Sequence, residues 1–301
     1  MVPDGLGLSA GHVWATHRWA VQVSHLWGRV PVVVRALVVA LVVAVAGNGP
    51  WLVLFLLNLR VMPSLPWSVP VMAAYLWFYW RYLNGWGWPR STAAARRRDL
   101  RAKPLSPRVW RWSLAALGLH MAAMTALELV ARRFVDPTPY QGLPEIPPGV
   151  SALTIGGLLL MLSVVAGVVE EAAFRGYLQA PLERRHGPVA AVVMTSSVFA
   201  LMHFNSYPGM SVGFLLAFVV GGSGFAIVAW LSGSIRPGIV LHAAVNAAAL
   251  LGGWWAGGNL AVPPFAETGA DVFFRVDCAE VLVFGAAAAW AYRGLARSGR
   301  A

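Results

Sequence analysis

The stretch from Met210 to Leu231 contains no Asp, Glu, Lys or Arg. An apolar run of roughly 20 residues is long enough to cross the hydrocarbon core of a bilayer as a helix. Several other windows of the sequence have the same character, and they are continuous rather than alternating, which argues against a transmembrane β-barrel. With 58% hydrophobic and only 12% charged residues, the composition is unlike that of a soluble domain. The sequence therefore predicts an all-α, polytopic transmembrane helix bundle.

The apolar windows predict about eight spans. They are Ala36–Leu59, Ser68–Trp88, Trp112–Val130, Leu153–Leu182, Val189–Phe204, Met210–Leu231, Gly238–Trp255 and Cys278–Trp290. The first span contains "GNGP" at residues 47–50, which leaves open a break into a re-entrant pair. We expect one bundle over residues 31–296, preceded by an interfacial tail at 1–30 that is rich in Trp and His, and followed by a short tail at 297–301.

The net charge of +11 is placed unevenly along the chain. Residues 90–111 carry eight Lys or Arg in a short loop between two apolar segments, where topology signals lie. This placement indicates membrane orientation rather than binding of nucleic acid. The same run is also compatible with binding of anionic lipid head groups. We expect both termini and this loop to be cytoplasmic, in an integral membrane protein of a bacterial cell. Since Cys278 is the only cysteine, neither a disulfide framework nor a cysteine metal cluster can form within one chain.

Three ionisable residues interrupt the fourth predicted span within the sequence "GVVEEAAFRGYL". Glu171 and Arg175 are four residues apart, so they lie on one helical face and are expected to pair. Glu170 is rotated by about 100° from Glu171 and has no such partner on its own helix. A charged group in mid-bilayer is costly, so it usually faces a bundle interior or a wet cavity. The group is either a polar brace between helices or part of a catalytic site.

Two other predicted spans also carry polar residues. The fifth contains His203, one turn after Phe199, and the seventh contains His242 and Asn246 four residues apart on one face. A lone buried histidine is usually structural. Here a glutamate, two histidines and an asparagine lie on three separate spans, and their convergence on one cavity is the simplest interpretation.

These residues form three ordered motifs, Glu-Glu-x-x-x-Arg, Phe-x-x-x-His and His-x-x-x-Asn. Together they resemble the CPBP family of intramembrane proteases over about residues 150–255. That family includes type II CAAX prenyl endopeptidases and the bacteriocin-processing and immunity proteins formerly called Abi. The resemblance implies hydrolysis of a peptide bond in a membrane-associated or prenylated-type protein or peptide.

The resemblance also implies roles for individual residues. Glu170 and His203 would hold and activate the water, while His242 and Asn246 would polarise the scissile carbonyl and stabilise its oxyanion. Glu171 and Arg175 would orient the site. A zinc enzyme with Glu170, His203 and His242 as ligands and a metal-free enzyme remain equal alternatives, because His-Glu-x-x-His is absent from the sequence.

A function of another class also fits the intramembrane Glu and His residues. Such groups serve as proton relays in transporters, and a bacteriocin-immunity type of protein would bind a peptide without cutting it. In the predicted topology, His203 lies further toward the outside than Glu170 and His242. This depth favours the non-enzymatic alternative, whereas the three ordered motifs favour the protease.

Overall fold

The computed structural model describes residues 27–134, 146–204, 212–256 and 262–299, and within these ranges it contains helices and no β-strand. A 3₁₀ turn lies at Arg90–Thr92. In chain order the helices are α1 (Val32–Val61), α2 (Ser68–Leu83), α3 (Ala93–Leu100), α4 (Pro107–Arg132), α5 (Ala152–His186), α6 (Pro188–His203), α7 (Val212–Ser232), α8 (Arg236–Trp255), α9 (Phe265–Thr268) and α10 (Val272–Ser298). This arrangement confirms the predicted polytopic helical bundle.

Five of the helices in the described ranges are long and apolar enough to cross a membrane, namely α1, α4, α5, α7 and α8. α6 is apolar but only 16 residues long, and α2 has the same length. α10 is longer, but its first turns carry Arg275, Asp277 and Glu280. Together with α2, α6 and α10, these five helices lie in the described ranges where the eight apolar windows predicted spans.

The structure corrects one predicted boundary and settles a question about the first span. The second predicted span ends at Leu83 rather than Trp88, because the following turn uses Gly85 and Gly87 with φ of 92° and 81°. The "GNGP" sequence does not break the first span, since α1 runs continuously with Pro50 inside it. The interfacial segment expected at residues 1–30 falls almost entirely outside the described residues.

α5 is the central helix of the bundle and contacts α1, α2, α6, α7 and α8. Glycines permit the closest of these approaches. A Cβ at Gly47 of α1 would come within 2.4 Å of Val169, and a Cβ at Gly167 would come within 2.9 Å of the Ile239 carbonyl oxygen on α8. Helix backbones approach this closely only where no side chain intervenes. Gly167, three residues before Glu170, therefore packs directly against α8.

A buried polar network fastens one end of α5 to its surroundings. Arg101 forms an ion pair with Glu183 at 2.9 Å and donates to the Ala229 carbonyl at 2.8 Å. Gln179 donates to the Ala226 carbonyl, also at 2.8 Å. Because both carbonyls belong to α7, the network fixes α7 and the loop before α4 against α5.

The opposite end of the bundle is held by contacts at the start of α10. Asp271 accepts a hydrogen bond from the Phe274 amide at 2.7 Å and pairs with Arg133 at 3.0 Å. The hydrogen bond from Phe274, reinforced by Arg133, lowers the pKa of the Asp271 carboxyl. Arg133 also donates to Thr268 at 3.1 Å. Residues near Thr268 therefore lie beside the C-terminal end of α4, far from the loop that precedes the N-terminal end of α4.

Candidate active site

The site is built around a change of helical form within α5. The helix is α-helical from Ala152 to Glu170, and it continues as a π-helix from Glu171 to Leu178. Every residue of the π-helical stretch is buried. π-helical turns are uncommon and occur frequently at functional sites.

The predicted pair between Glu171 and Arg175 is present. Nη1 of Arg175 lies 3.1 Å from Oε1 of Glu171, and neither side chain is exposed. Arg175 also donates from Nη2 to the Gly222 carbonyl at 3.0 Å, and its guanidinium lies 4.3 Å from the centre of the Phe199 ring. Arg175 thus joins α5 to both α6 and α7, in addition to neutralising Glu171.

His242 lies between the two neighbouring glutamates. Its Nδ1 is 3.0 Å from Oε1 of Glu171, and its Nε2 is 3.6 Å from Oε2 of Glu170. The Glu171 side is closed, whereas the Glu170 side chain is 19% exposed. One ring nitrogen therefore faces a buried ion pair, and the other faces the more open part of the site.

The partners of His242 determine how its ring is protonated. An ionised Glu171 can only accept, so Nδ1 carries a hydrogen and donates it. In the neutral tautomer Nε2 would then present a lone pair to another acceptor, Glu170, at 3.6 Å. Glu170 and His242 therefore lie close enough for a proton to pass between them directly or through one water.

A glycine lets the second oxygen of Glu171 approach α8. A Cβ at Gly238 would lie only 2.6 Å from Oε2 of Glu171. This oxygen is buried and accepts no hydrogen bond from the described residues. Gly238 is one helical turn before His242, so the same face of α8 provides the imidazole and the space for the carboxylate.

His203 ends α6 in an aromatic environment. Its Nδ1 lies 2.8 Å from the Phe199 carbonyl oxygen, and its ring stacks on Phe218 with centroids 5.2 Å apart. Because a carbonyl accepts, Nδ1 carries the hydrogen and Nε2 is left with a lone pair. Within the described residues His203 makes no hydrogen bond or salt bridge to Glu170, and the Phe199 ring contacts the rings of both histidines.

Asn246 lies one turn after His242 on the same face of α8. Its side chain is half-buried and makes no hydrogen bond with any residue that the structure describes. The amide is therefore available as a donor beside His242.

Two other polar residues of the apolar helices lie apart from this group. His120 on α4 contacts the Val220 carbonyl of α7 at 3.1 Å, and Glu128 pairs with Arg132 on its own helix. The first contact joins α4 to α7, and the second stays within α4. They do not add to the set around Glu170.

The metal alternative finds no support in the arrangement of donors. Among the described residues, no three His, Cys, Asp or Glu side chains are grouped so that they could hold a metal ion. Glu170 and His242 are close together, but His203 does not complete a set of ligands with them. The donors therefore do not fit a zinc site in this geometry.

Sequence reasoning missed several residues that shape the site. Gly222 and Phe225 of α7 receive the Arg175 guanidinium, with the Phe225 ring centre at 5.2 Å. Gly167 and Gly238 permit the contact between α5 and α8. Of these residues, only Gly238 could have been found from the sequence, because it lies four residues before His242 on the predicted helix face.

Comparison with known families adds an independent finding. Residues 152–248, about a third of the chain, match the family described as type II CAAX prenyl endopeptidase Rce1-like. No curated protein and no solved structure shows a significant match. The family supports a protease acting in the membrane. The matched region contains all of the predicted site residues, and this match to the Rce1-like family confirms the resemblance to the CPBP intramembrane proteases.

Proposed function

We propose that the protein is an intramembrane endopeptidase that hydrolyses a peptide bond in a membrane-associated protein or peptide. The observation that carries the proposal is the position of His242, with Glu171 on Nδ1 and Glu170 facing Nε2, inside an Rce1-like region. A buried carboxylate beside an imidazole is suited to general acid–base chemistry.

Glu170 is proposed as the group that takes a proton from the attacking water. Of the two neighbouring glutamates it is the one with an exposed fraction, 19% against 0%, so water and substrate approach from its side. The oxygen of the water forms a bond to the carbonyl carbon, and Glu170 accepts the proton. The C–N bond then breaks as that proton passes to the leaving amine.

His203 is proposed to hold the same water from a second direction. Its Nδ1–H is engaged by the Phe199 carbonyl, which leaves the Nε2 lone pair to accept a hydrogen bond from water. A water held by two acceptors presents its own lone pair to the substrate.

His242 and Asn246 are proposed to stabilise the oxyanion. When His242 carries both protons, Glu171 compensates the charge at Nδ1, and the Nε2–H is free to donate toward the site. The Asn246 amide adds a donor one turn away on the same helix face. Preorganised donors of this kind stabilise the charge that develops in the transition state. Arg175 offsets the charge of Glu171 and keeps that carboxylate in place.

The name of the matched family suggests the substrate class. A prenylated C-terminal segment would anchor in the bilayer through its hydrocarbon chain and bring its peptide bond to the site from the membrane. We propose that the substrate is a prenylated-type or otherwise membrane-associated peptide.

The experiment uses the purified protein in liposomes with a library of membrane peptides. Protease activity predicts new peptide termini that disappear with Glu170→Ala. They should persist with Glu128→Ala, which removes a glutamate that is paired with Arg132 outside the site. A proton-coupled transporter would give uptake driven by a pH gradient and no new termini, and that result would contradict the proposal.

A further inference from the structure

A cavity of about 290 Å³ lies between the start of α4 and the end of α10. It is lined by Arg108, Trp112, Trp290, Arg293, Gly294 and Arg297. A neighbouring cavity of about 610 Å³ shares three of these residues and adds Arg111 and Ala115. Four arginines and two tryptophans thus line this pair of neighbouring cavities.

Close helix packing builds the wall between α4 and α10. A Cβ at Gly294 would lie 2.6 Å from the Trp112 ring, so only glycine lets this ring lie flat against α10. Trp112 and Trp290 meet edge to face, with ring centroids 4.8 Å apart. On each helix the lining residues recur at three- and four-residue spacing, so each set forms a single face.

The four arginines have no counter-charge in the described structure. Arg108, Arg111, Arg293 and Arg297 make no salt bridge or hydrogen bond with a described residue, and no acidic residue lines either cavity.

The buried arginines of the described structure differ in this respect. Arg101, Arg133 and Arg175 each have a carboxylate partner, and Arg96 donates to backbone carbonyl groups and Thr92. All four cavity arginines are exposed, so solvation accounts for a basic end of the bundle. It does not account for why arginines of two different helices line the same pair of cavities with no acidic residue among them. An anion bound there would reduce the repulsion between their charges.

The surroundings of the cavity indicate which anion it takes. Trp290 is 63% exposed, and together with Trp112 and Ala115 it extends the cavity as an apolar wall along α4, a helix long enough to span a membrane. Arginine forks match phosphate oxygens, and tryptophan rings favour the level of the lipid head groups. We propose that this cavity binds an anionic phospholipid, with its phosphate on the four arginines and its acyl chains along the tryptophan wall.

In the test, the solubilised protein is given equal amounts of phosphatidylglycerol and phosphatidylcholine. Native mass spectrometry then measures how much of each lipid the protein retains. Each arginine near an anionic lipid contributes roughly fivefold in affinity, so Arg108→Gln with Arg293→Gln should weaken retention of phosphatidylglycerol roughly 25-fold. The matched control is Arg90→Gln with Arg185→Gln, two exposed arginines outside the cavity whose loss changes the net charge equally. The control should retain the lipid like the unmodified protein.

Equal loss in the two double variants would overturn the proposal, since binding would then be diffuse. Displacement of the lipid by excess inorganic phosphate would also overturn it, because the cavity would then take a free phosphate group. If the first variant does not fold, Arg111→Gln with Arg297→Gln takes its place. On the unmodified protein, a photoreactive phosphatidylglycerol should label Ala115 or Trp290, and labelling confined to other helices would contradict the assignment.

Discussion

Oε1 of Glu171 lies 3.0 Å from Nδ1 of His242, across the contact between α5 and α8. The same oxygen pairs with Arg175 at 3.1 Å. Glu171 therefore connects a buried guanidinium to the imidazole that faces Glu170. Substitution of Glu171 should affect stability through Arg175 and catalysis through His242, and these two effects can be separated.

Glu171→Gln should lower the free energy of unfolding by about 3–5 kcal/mol, because it leaves the fully buried Arg175 without its counter-charge. The double change Glu171→Gln with Arg175→Gln removes both charges and should recover most of that stability. Turnover should stay low in both variants, since each lacks the carboxylate on Nδ1 of His242. Thermal unfolding in detergent, measured beside the cleavage rate, checks the prediction. A double variant as unstable as the single one would refute the charge argument.

Gly238→Ala should disturb the site from α8. The added methyl group would meet Oε2 of Glu171 at 2.6 Å, and that carboxylate is already held by Arg175 and His242. We expect a cost of about 1–3 kcal/mol from overpacking, together with reduced turnover. Gly252→Ala on the same helix is the control, because nothing lies within 4 Å of its Cβ position. Equal behaviour of the two variants would show that the contact at Gly238 has no functional role.

Metal removal should leave turnover unchanged. Glu170 and His242 face each other, but the described residues offer no third ligand grouped with them. We expect protein treated with a chelator, and verified as metal-free by elemental analysis, to cleave at the rate of the untreated protein. If the chelator abolished the activity and added zinc restored it, a metal mechanism would have to replace water activation by Glu170.

The orientation of the bundle predicts opposite results for two reporter fusions. Arg98 lies in α3, before the start of α4, whereas Thr268 contacts Arg133 just after the end of α4. Since α4 is long and apolar enough to span, the two positions should lie on opposite sides of the membrane. The basic residues at 90–111 predict that Arg98 lies on the cytoplasmic side. A reporter that registers Arg98 as external would reverse the orientation.

Helix positions and pairs within one helix could be predicted from the sequence. The period of an α-helix places Glu171 and Arg175 on one face, and they do form a pair. The same helical period separates Glu170 from Glu171. It left Glu170 in need of a partner on another helix, and His242 lies 3.6 Å away.

Relations between helices could not be predicted in the same way. Periodicity does not give the depth of one helix relative to another, so the placement of one imidazole between two adjacent carboxylates was not foreseen. The π-helical stretch that begins at Glu171 also left no signal in the pattern of apolar residues. Glycines decide how closely α5 and α8 approach, and their packing partners become known only in the folded bundle.

The most direct test of the account is the cleavage rate of Glu170→Gln at equal thermal stability. Glutamine keeps the size of the side chain and can still hydrogen-bond, but it cannot take a proton from water. Because Glu170 is partly exposed and is not in the Arg175 ion pair, the variant should unfold at the temperature of the unmodified protein. Its turnover of membrane peptides should fall by roughly 10²- to 10⁴-fold. If Glu170→Gln stays active while Glu171→Gln is stable and inactive, the roles of the two glutamates are reversed and the central claim is wrong.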